Sequence, residues 1–213
     1  MWQLAIRLDS NQFAPWSNLA EYYQMEAKPE SAEVCLRRVF SLAPSEKSNY
    51  ERLGSLLLAL GKTTDAQNVL STGLNKFPSE ASLFYILGCA YTFEGMDSKA
   101  SGAFQQGIQL LERKPRSTPT DIALRGLFLA RLRKTVESRR ILDQASASEP
   151  TDPDVLILIA RAYSVLSEKN KMLKAFSAAH EYNKDLDVAY VRTALDFENF
   201  RSDNDLLAIA ATP

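Results

Sequence analysis

The feature that most constrains this chain is a recurrence, with a period of about 34 residues, of one order of large and small side chains. Trp16, Leu19, Ala20 and Tyr23, followed by Ala32, Leu36, Val39 and Pro44, return one period later as Tyr50, Leu53, Gly54, Leu57, Ala66, Leu70, Gly73 and Pro78. The next period brings Phe84, Leu87, Gly88, Tyr91, Ala100, Phe104 and Gly107, with Glu112 in the proline position. The fourth copy arrives four positions late as Ile122, Arg125, Gly126, Leu129, Ser138, Leu142, Ala145 and Pro150. The fifth returns to the regular step with Leu156, Ile159, Ala160, Tyr163, Met172, Phe176, Ala179 and Lys184, and a half-copy follows with Tyr190, Thr193, Ala194 and Phe197. A period of this length marks stacked supersecondary units, none of which can cover its own apolar face alone.

Each unit contains two runs with apolar residues at i, i+3, i+4 and i+7, the spacing of a helix with one buried side. The expected fold class is therefore all-α, an array of helical hairpins. Ala20, Gly54, Gly88, Gly126 and Ala160 allow the first helix of each hairpin to approach the second, where Ala32, Ala66 and Ala100 face them. Tyr23, Leu57, Tyr91, Leu129 and Tyr163 fill the space between hairpins. Gly61 and Gly95 fall where a glycine helix C-cap is expected, and Pro44, Pro78 and Pro150 stop a helix.

The eight-position pattern (large aromatic, Leu, Gly/Ala, Tyr, Ala, Phe, Ala, Pro) resembles the tetratricopeptide repeat (TPR) family and covers essentially the whole chain. The resemblance implies a right-handed α-α superhelix, a solenoid whose first helices line a concave groove. It places one array over residues 1–213, with repeats near 13–46, 47–80, 81–114, 119–152 and 153–186. Residues 1–12 read as a partial helix of a preceding repeat, so the chain is expected to be a piece of a longer protein. Residues 187–213 read as a half repeat plus a capping helix over Asp205–Ala210, with Asp203 and Asn204 supplying its N-cap.

Three departures carry expectations of their own. The four extra residues Pro115, Arg116, Ser117 and Thr118, bracketed by Pro115 and Pro119, are expected to form a loop. Arg125 stands where Leu is usual. Met172 stands where Ala is usual and is expected to push the helices of the fifth hairpin apart.

The family's groove positions carry over to Ser17, Glu21 and Gln24 in the first hairpin, and to Glu51, Ser55 and Leu58 in the second. The later ones are Tyr85, Cys89 and Thr92, then Ala123, Leu127 and Ala130, then Ile157, Arg161 and Ser164, and last Val191, Leu195 and Glu198. The groove is thus expected to be polar and acidic at first and apolar from Tyr85 onward, with Arg161 as its firm charge. Apolar residues on a wet surface point to a partner. The expected protein-binding groove comprises Tyr85, Cys89, Leu127, Ile157, Arg161, Val191 and Leu195. The competing reading is that the C-terminal half closes on itself or packs on another domain; self-association is a third. The family's carboxylate clamp for chaperone tails is absent: Ser17, Glu21, Arg52, Ser82 and Ile86 occupy its places.

The expected function is a protein-interaction scaffold binding a protein or peptide. The alternatives are a regulatory or oligomerisation segment of a larger protein, or polyanion or RNA binding through a basic patch between Arg113 and Arg140, chiefly Arg113, Lys114, Arg116, Arg131 and Arg133. A net charge of −1 and a single nearby aromatic, Phe128, disfavour nucleic acid. No enzyme is expected. The one histidine, His180, reads as a surface residue, no nucleophile or phosphate-loop motif occurs, and Glu26, Glu30 and Glu33 read as solvated helix ends. Cys35 and Cys89 are too few for a disulfide framework or metal cluster. No cofactor is expected. The lack of a signal peptide or membrane span favours a cytoplasmic location.

Overall fold

The computed structural model describes residues 1–147 and 151–212, and among them every regular element is helical. The chain divides into two compact units, Met1–Met96 and Asp97–Pro213. The first holds α1 (Trp2–Leu8), α2 (Phe13–Met25), α3 (Pro29–Leu42), α4 (Lys47–Ala59), α5 (Thr63–Lys76) and α6 (Ala81–Phe93). The second holds α7 (Asp97–Glu112), α8 (Pro119–Arg131), α9 (Thr135–Ala147), α10 (Pro153–Val165), α11 (Lys169–Tyr182), α12 (Val188–Thr193), a 3-10 helix Leu195–Phe200 and α13 (Asn204–Ala210). Helices α2/α3, α4/α5, α8/α9 and α10/α11 pack as hairpins, and α10 also packs on α8, the first helix of the preceding hairpin.

Each hairpin closes where its small residues meet. A Cβ on Gly54 would come within 2.7 Å of the Leu70 side chain, and one on Gly126 within 2.6 Å of Leu142, so a methyl group would force the helices apart. Across the hairpin Ala32, Ala66, Ser138 and Met172 are fully buried. Ser138 satisfies its hydroxyl there by donating to the Gly126 carbonyl at 2.8 Å. Met172 does not separate its hairpin as expected: α10 and α11 form one of the most extensive helix pairs. The flexible thioether of Met172 is accommodated fully buried, as are Ala160 and Ala162. Between hairpins of the first unit, the buried Tyr50 ring meets Phe40 and Phe77 edge-on at 4.8 and 5.8 Å and donates its hydroxyl to the Pro44 carbonyl.

The turns inside the hairpins share one geometry. Gly61 donates to the Leu58 carbonyl and Lys62 to the Leu57 carbonyl, a Schellman cap that requires residue 61 in the left-handed region, at φ +72°. The same pair of bonds recurs at Ala27/Lys28, Gly95/Met96, Arg133/Lys134 and Ser167/Glu168. Ala27, Arg133 and Ser167 adopt φ of 51°, 58° and 60° there, although only glycine does so without steric cost. The four extra residues fall in the loop between α7 and α8. Thr118 closes it with a capping box: its hydroxyl accepts from the Asp121 amide at 3.1 Å, and the Asp121 carboxylate accepts from the Thr118 amide at 2.9 Å. Pro44 and Pro78 lie in the turns after α3 and α5, while Pro150 lies outside the described residues.

Two expectations are corrected by burial. Glu33 is not a solvated helix end: it is 6% exposed and accepts from Arg37 at 2.9 Å and Lys62 at 2.7 Å. Burial pushes its carboxyl upward, but the hydrogen bonds from Lys62 and Arg37 outweigh it and hold the group below the usual glutamate range. His180 is not on the surface: it is 3% exposed, stacked on Phe176, with Nδ1 3.2 Å from the Leu186 carbonyl and Nε2 2.8 Å from the Thr212 carbonyl. It ties α11 to the turn after it and to the residues beyond α13.

These contacts set three expected outcomes. Arg133→Gly relieves a left-handed side chain and raises stability by about 1 kcal/mol, read from urea unfolding. Gly107→Ala, whose new Cβ would meet the Phe128 ring, costs about 1–3 kcal/mol in the same measurement. The Glu33 contribution is complete above the unfolded value of 4.5 and is lost as pH falls through the lower folded value. Glu33→Gln therefore costs about 1 kcal/mol at pH 7 and flattens the loss of stability in acid, as a pH series of melts would show.

Candidate functional site

In the first unit the first helices carry a ladder of polar contacts on the side expected to face a partner. Arg52 on α4 donates to Ser17 at 2.8 Å and to Glu21 at 3.1 Å, both on α2. Ser82 on α6 donates to Glu51 on α4, and Lys47 to Glu80 at 2.6 Å. Glu21 remains exposed and Arg52 partly so. Tyr85 and Cys89, expected to open the apolar stretch, are instead 2% and 1% exposed. Burial pushes the Cys35 thiol up, as in an inert core cysteine.

In the second unit Leu127, Ile157, Val191 and Leu195 are buried as well. The last first helix is broken. After α12 the chain leaves the helical region at Ala194 (ψ 131°), turns into the 3-10 helix Leu195–Phe200 and lies against α10. This brings Asp196, whose side chain is fully buried, between Arg161 of α10 and Arg131 of α8. Arg161 Nε donates to Asp196 Oδ2 at 2.6 Å, while Arg131 donates to Oδ1 through Nε at 3.2 Å and also through Nη2. Arg131 Nη2 also reaches the Leu195 carbonyl at 3.4 Å, and Ser164 donates to the Asp196 carbonyl at 2.6 Å. Arg161 and Ser164 were expected in the groove. Asp196 was not foreseen.

The basic patch does not gather into one surface. Arg113, Lys114 and Arg116 lie in or beside the loop before α8, whereas Arg131 and Arg133 lie at the far end of that helix, about 18 Å away at 1.5 Å per residue. Lys114 pairs with Asp121 at 2.6 Å, Arg125 with Glu112 at 3.0 Å, and Arg139 with Glu168. Arg113, Arg116 and Arg133 are exposed.

Two cavities also lie in the second unit. One, of about 360 Å³, is lined by Leu156, Ile159, Tyr163, Lys171 and Lys174 among others. At its edge the Tyr163 hydroxyl and Lys171 both bond Asp143 at 2.9 Å. Burial, followed by the bond to Asp143, pushes Tyr163 up to about 12, which leaves it protonated and unsuited to proton transfer near neutrality. The other, about 250 Å³, is lined by Glu112, Asp121, Arg125 and Arg140 among others. Among the described residues no group of three or more His, Cys, Asp or Glu is placed to hold a metal, and no helix is long and apolar enough to cross a membrane.

Comparison with known proteins agrees with the hairpins. The family described as Psidin, N-terminal TPR repeats region, matches residues 89–197, just over half of the chain. No curated protein sequence matches. Among solved structures, a TPR protein of Thermus thermophilus is 21% identical with a TM-score of 0.56, covering 87% of this chain and 98% of that one. Pseudomonas aeruginosa pilF is 16% identical with a TM-score of 0.51, covering 94% and 86%. A chain of the APC/C hetero-tetramer Cut9–Hcn1 is 16% identical with a TM-score of 0.52, covering 99% of this chain and 38% of that one. At these identities the likeness is one of fold. Period, buried small residues, recurring turn and family match converge, and the chain belongs to the tetratricopeptide repeat family, in the branch described by the Psidin N-terminal repeats.

Proposed function

We propose that this chain is a non-catalytic scaffold that holds a partner protein or peptide along its first helices. The observation that carries this reading is the 195–200 segment, a piece of peptide already seated on α8 and α10 by side-chain and main-chain contacts. In this reading Tyr85 and Cys89 belong to the packed core of the first unit, and Leu127, Ile157 and Val191 to that of the second. The polar side chains, Arg161 in the second unit and Glu21 and Arg52 in the first, do the recognising. A buried apolar core with polar or charged anchors is the general anatomy of a protein interface.

The test is quantitative co-purification from the native cells, with the tagged chain as bait. Arg52→Glu reverses the charge on the face of α4. It lowers recovery of a specific partner about tenfold, the equivalent of roughly 1.4 kcal/mol. Val136→Ser on the second helix α9, an exposed position, leaves recovery unchanged. Equal recovery with both folded variants would overturn the assignment.

A second reading, binding of a polyanion, has one observation in its favour. The Nε of Arg125 is buried without a hydrogen-bond partner beside the cavity that Arg140 also lines. Retention on immobilised heparin that falls steeply with salt, and that Arg125→Gln with Arg140→Gln removes, is the outcome it requires.

A further inference from the structure

A regular sixth hairpin would continue α12 as a helix through Phe197. Instead α12 stops after six residues, the chain breaks at Ala194, and the following segment turns across to α10 and α8. What it meets there is chemically specific. One carboxylate, fully removed from solvent, is gripped by two guanidinium groups from two successive first helices, and the carbonyls on either side of it are gripped by Arg131 and Ser164. Its neighbours Leu195 and Phe197 are also buried, Phe197 edge-on to Phe176 at 5.6 Å. The two arginines read charge. The bonds to the Leu195 and Asp196 carbonyls read a short stretch of backbone that is not α-helical. The flanking contacts read apolar bulk.

We propose that Arg131, Arg161 and Ser164 form a peptide-binding site for an acidic residue flanked by apolar ones, and that the chain's own Leu195–Asp196–Phe197 is the occupant that a partner segment of the same chemistry replaces. The proposal rests on the scaffold reading and gives it a ligand class. Arginine suits the role because its planar fork binds a carboxylate in a fixed orientation, which a lysine would not impose. A buried ion pair adds little net stability over an apolar contact of the same volume but discriminates strongly against a partner lacking the charge. The internal segment therefore works as a competitor held at high effective concentration, and a partner binds only by displacing it.

The experiment uses the full chain and a labelled synthetic peptide with the sequence of residues 193–202, followed by fluorescence anisotropy, with hydrogen exchange read at residues 195–200. Asp196→Asn keeps the shape of the internal segment and removes its charge. That variant binds the peptide at least tenfold more tightly than the unaltered chain, and its 195–200 amides exchange faster. A peptide with Asn in place of its one Asp loses at least tenfold in binding to the same variant, and Arg161→Gln in the protein does the same. Equal binding of the acidic and amidated peptides would overturn the proposal, as would an absence of binding to a folded Asp196→Asn chain. Should Asp196→Asn fail to fold, as judged by circular dichroism, the unaltered chain decides. Millimolar acidic peptide must accelerate exchange at 195–200 while the amidated peptide does not, and no acceleration would overturn it. These outcomes concern the second unit only, so they are separable from the Arg52→Glu result, which tests the scaffold reading through the first.

Discussion

The backbones of α4 and α5 come together at the place where residue 54 has no side chain and Leu70 fills the space. The same relation joins Gly126 to Leu142 in the fourth hairpin. Close-packed interiors give no slack for a methyl group at such a point. Once the two helices are at that distance, the other features follow. The residue facing the small one must itself be small, polar but satisfied, or flexible, and Ala66, Ser138 and Met172 are three solutions to one volume. The turn must reverse the chain in few residues, and the Schellman cap with one left-handed residue does so in every hairpin. A hairpin closed this tightly still leaves an apolar face on each side. Stability then comes from neighbours, as α10 against α8 shows.

That shared distance also explains how two helices of the second unit bring arginines onto one carboxylate. The first helices α8 and α10 lie side by side, so Arg131 at the end of α8 and Arg161 one turn before the end of α10 can converge on one point although they are far apart in the chain. In the first unit the same adjacency produces Arg52 bonded to Ser17 and Glu21 across a full repeat. The repeat thus supplies pairs of polar groups at a spacing set by helix packing, and the identity of those groups decides what the face attracts.

The sequence was most legible where one position recurs. The small residues, the glycine turns at 61 and 95, the loop before α8 and the N-cap of α13 all follow from spacing and from residues with narrow conformational roles. The left-handed turns at Ala27, Arg133 and Ser167 were hidden because none is glycine, yet they stand at the repeat offsets from Gly61 and Gly95, and the offset was the signal that could have found them. The apolar groove was misread for a different reason. Leu127, Ile157, Val191 and Leu195 were assigned to a wet surface by the geometry of a continuing array, but the array breaks at Ala194, where neither glycine nor proline marks the break. Whether an apolar residue is floor or surface depends on what lies over it, and that is a tertiary fact. Asp196 shows the same limit, since an acid between Leu195 and Phe197 looks like any helix-surface charge until two arginines are found around it. Glu33 and His180 were misread likewise, being polar residues whose partners Lys62 and Thr212 lie a repeat or so away along the chain.

The energetic character of the Asp196 contact bears on why the inner face should be covered this way. An apolar segment packed against α8 and α10 would avoid desolvating three charged groups, and on stability alone it would serve as well or better. Two arginines and a buried carboxylate are costly to assemble, and they are also unforgiving: removal of the carboxylate leaves two half-buried arginines without their counterion, and removal of either arginine strips hydrogen bonds from a fully buried carboxylate. Such an arrangement admits an occupant with a carboxylate in one place and rejects others, whereas an apolar plug would yield to any apolar segment. On the reading proposed above, the cover over the second unit is selective as well as protective, and the selectivity resides in Arg131, Arg161 and Asp196.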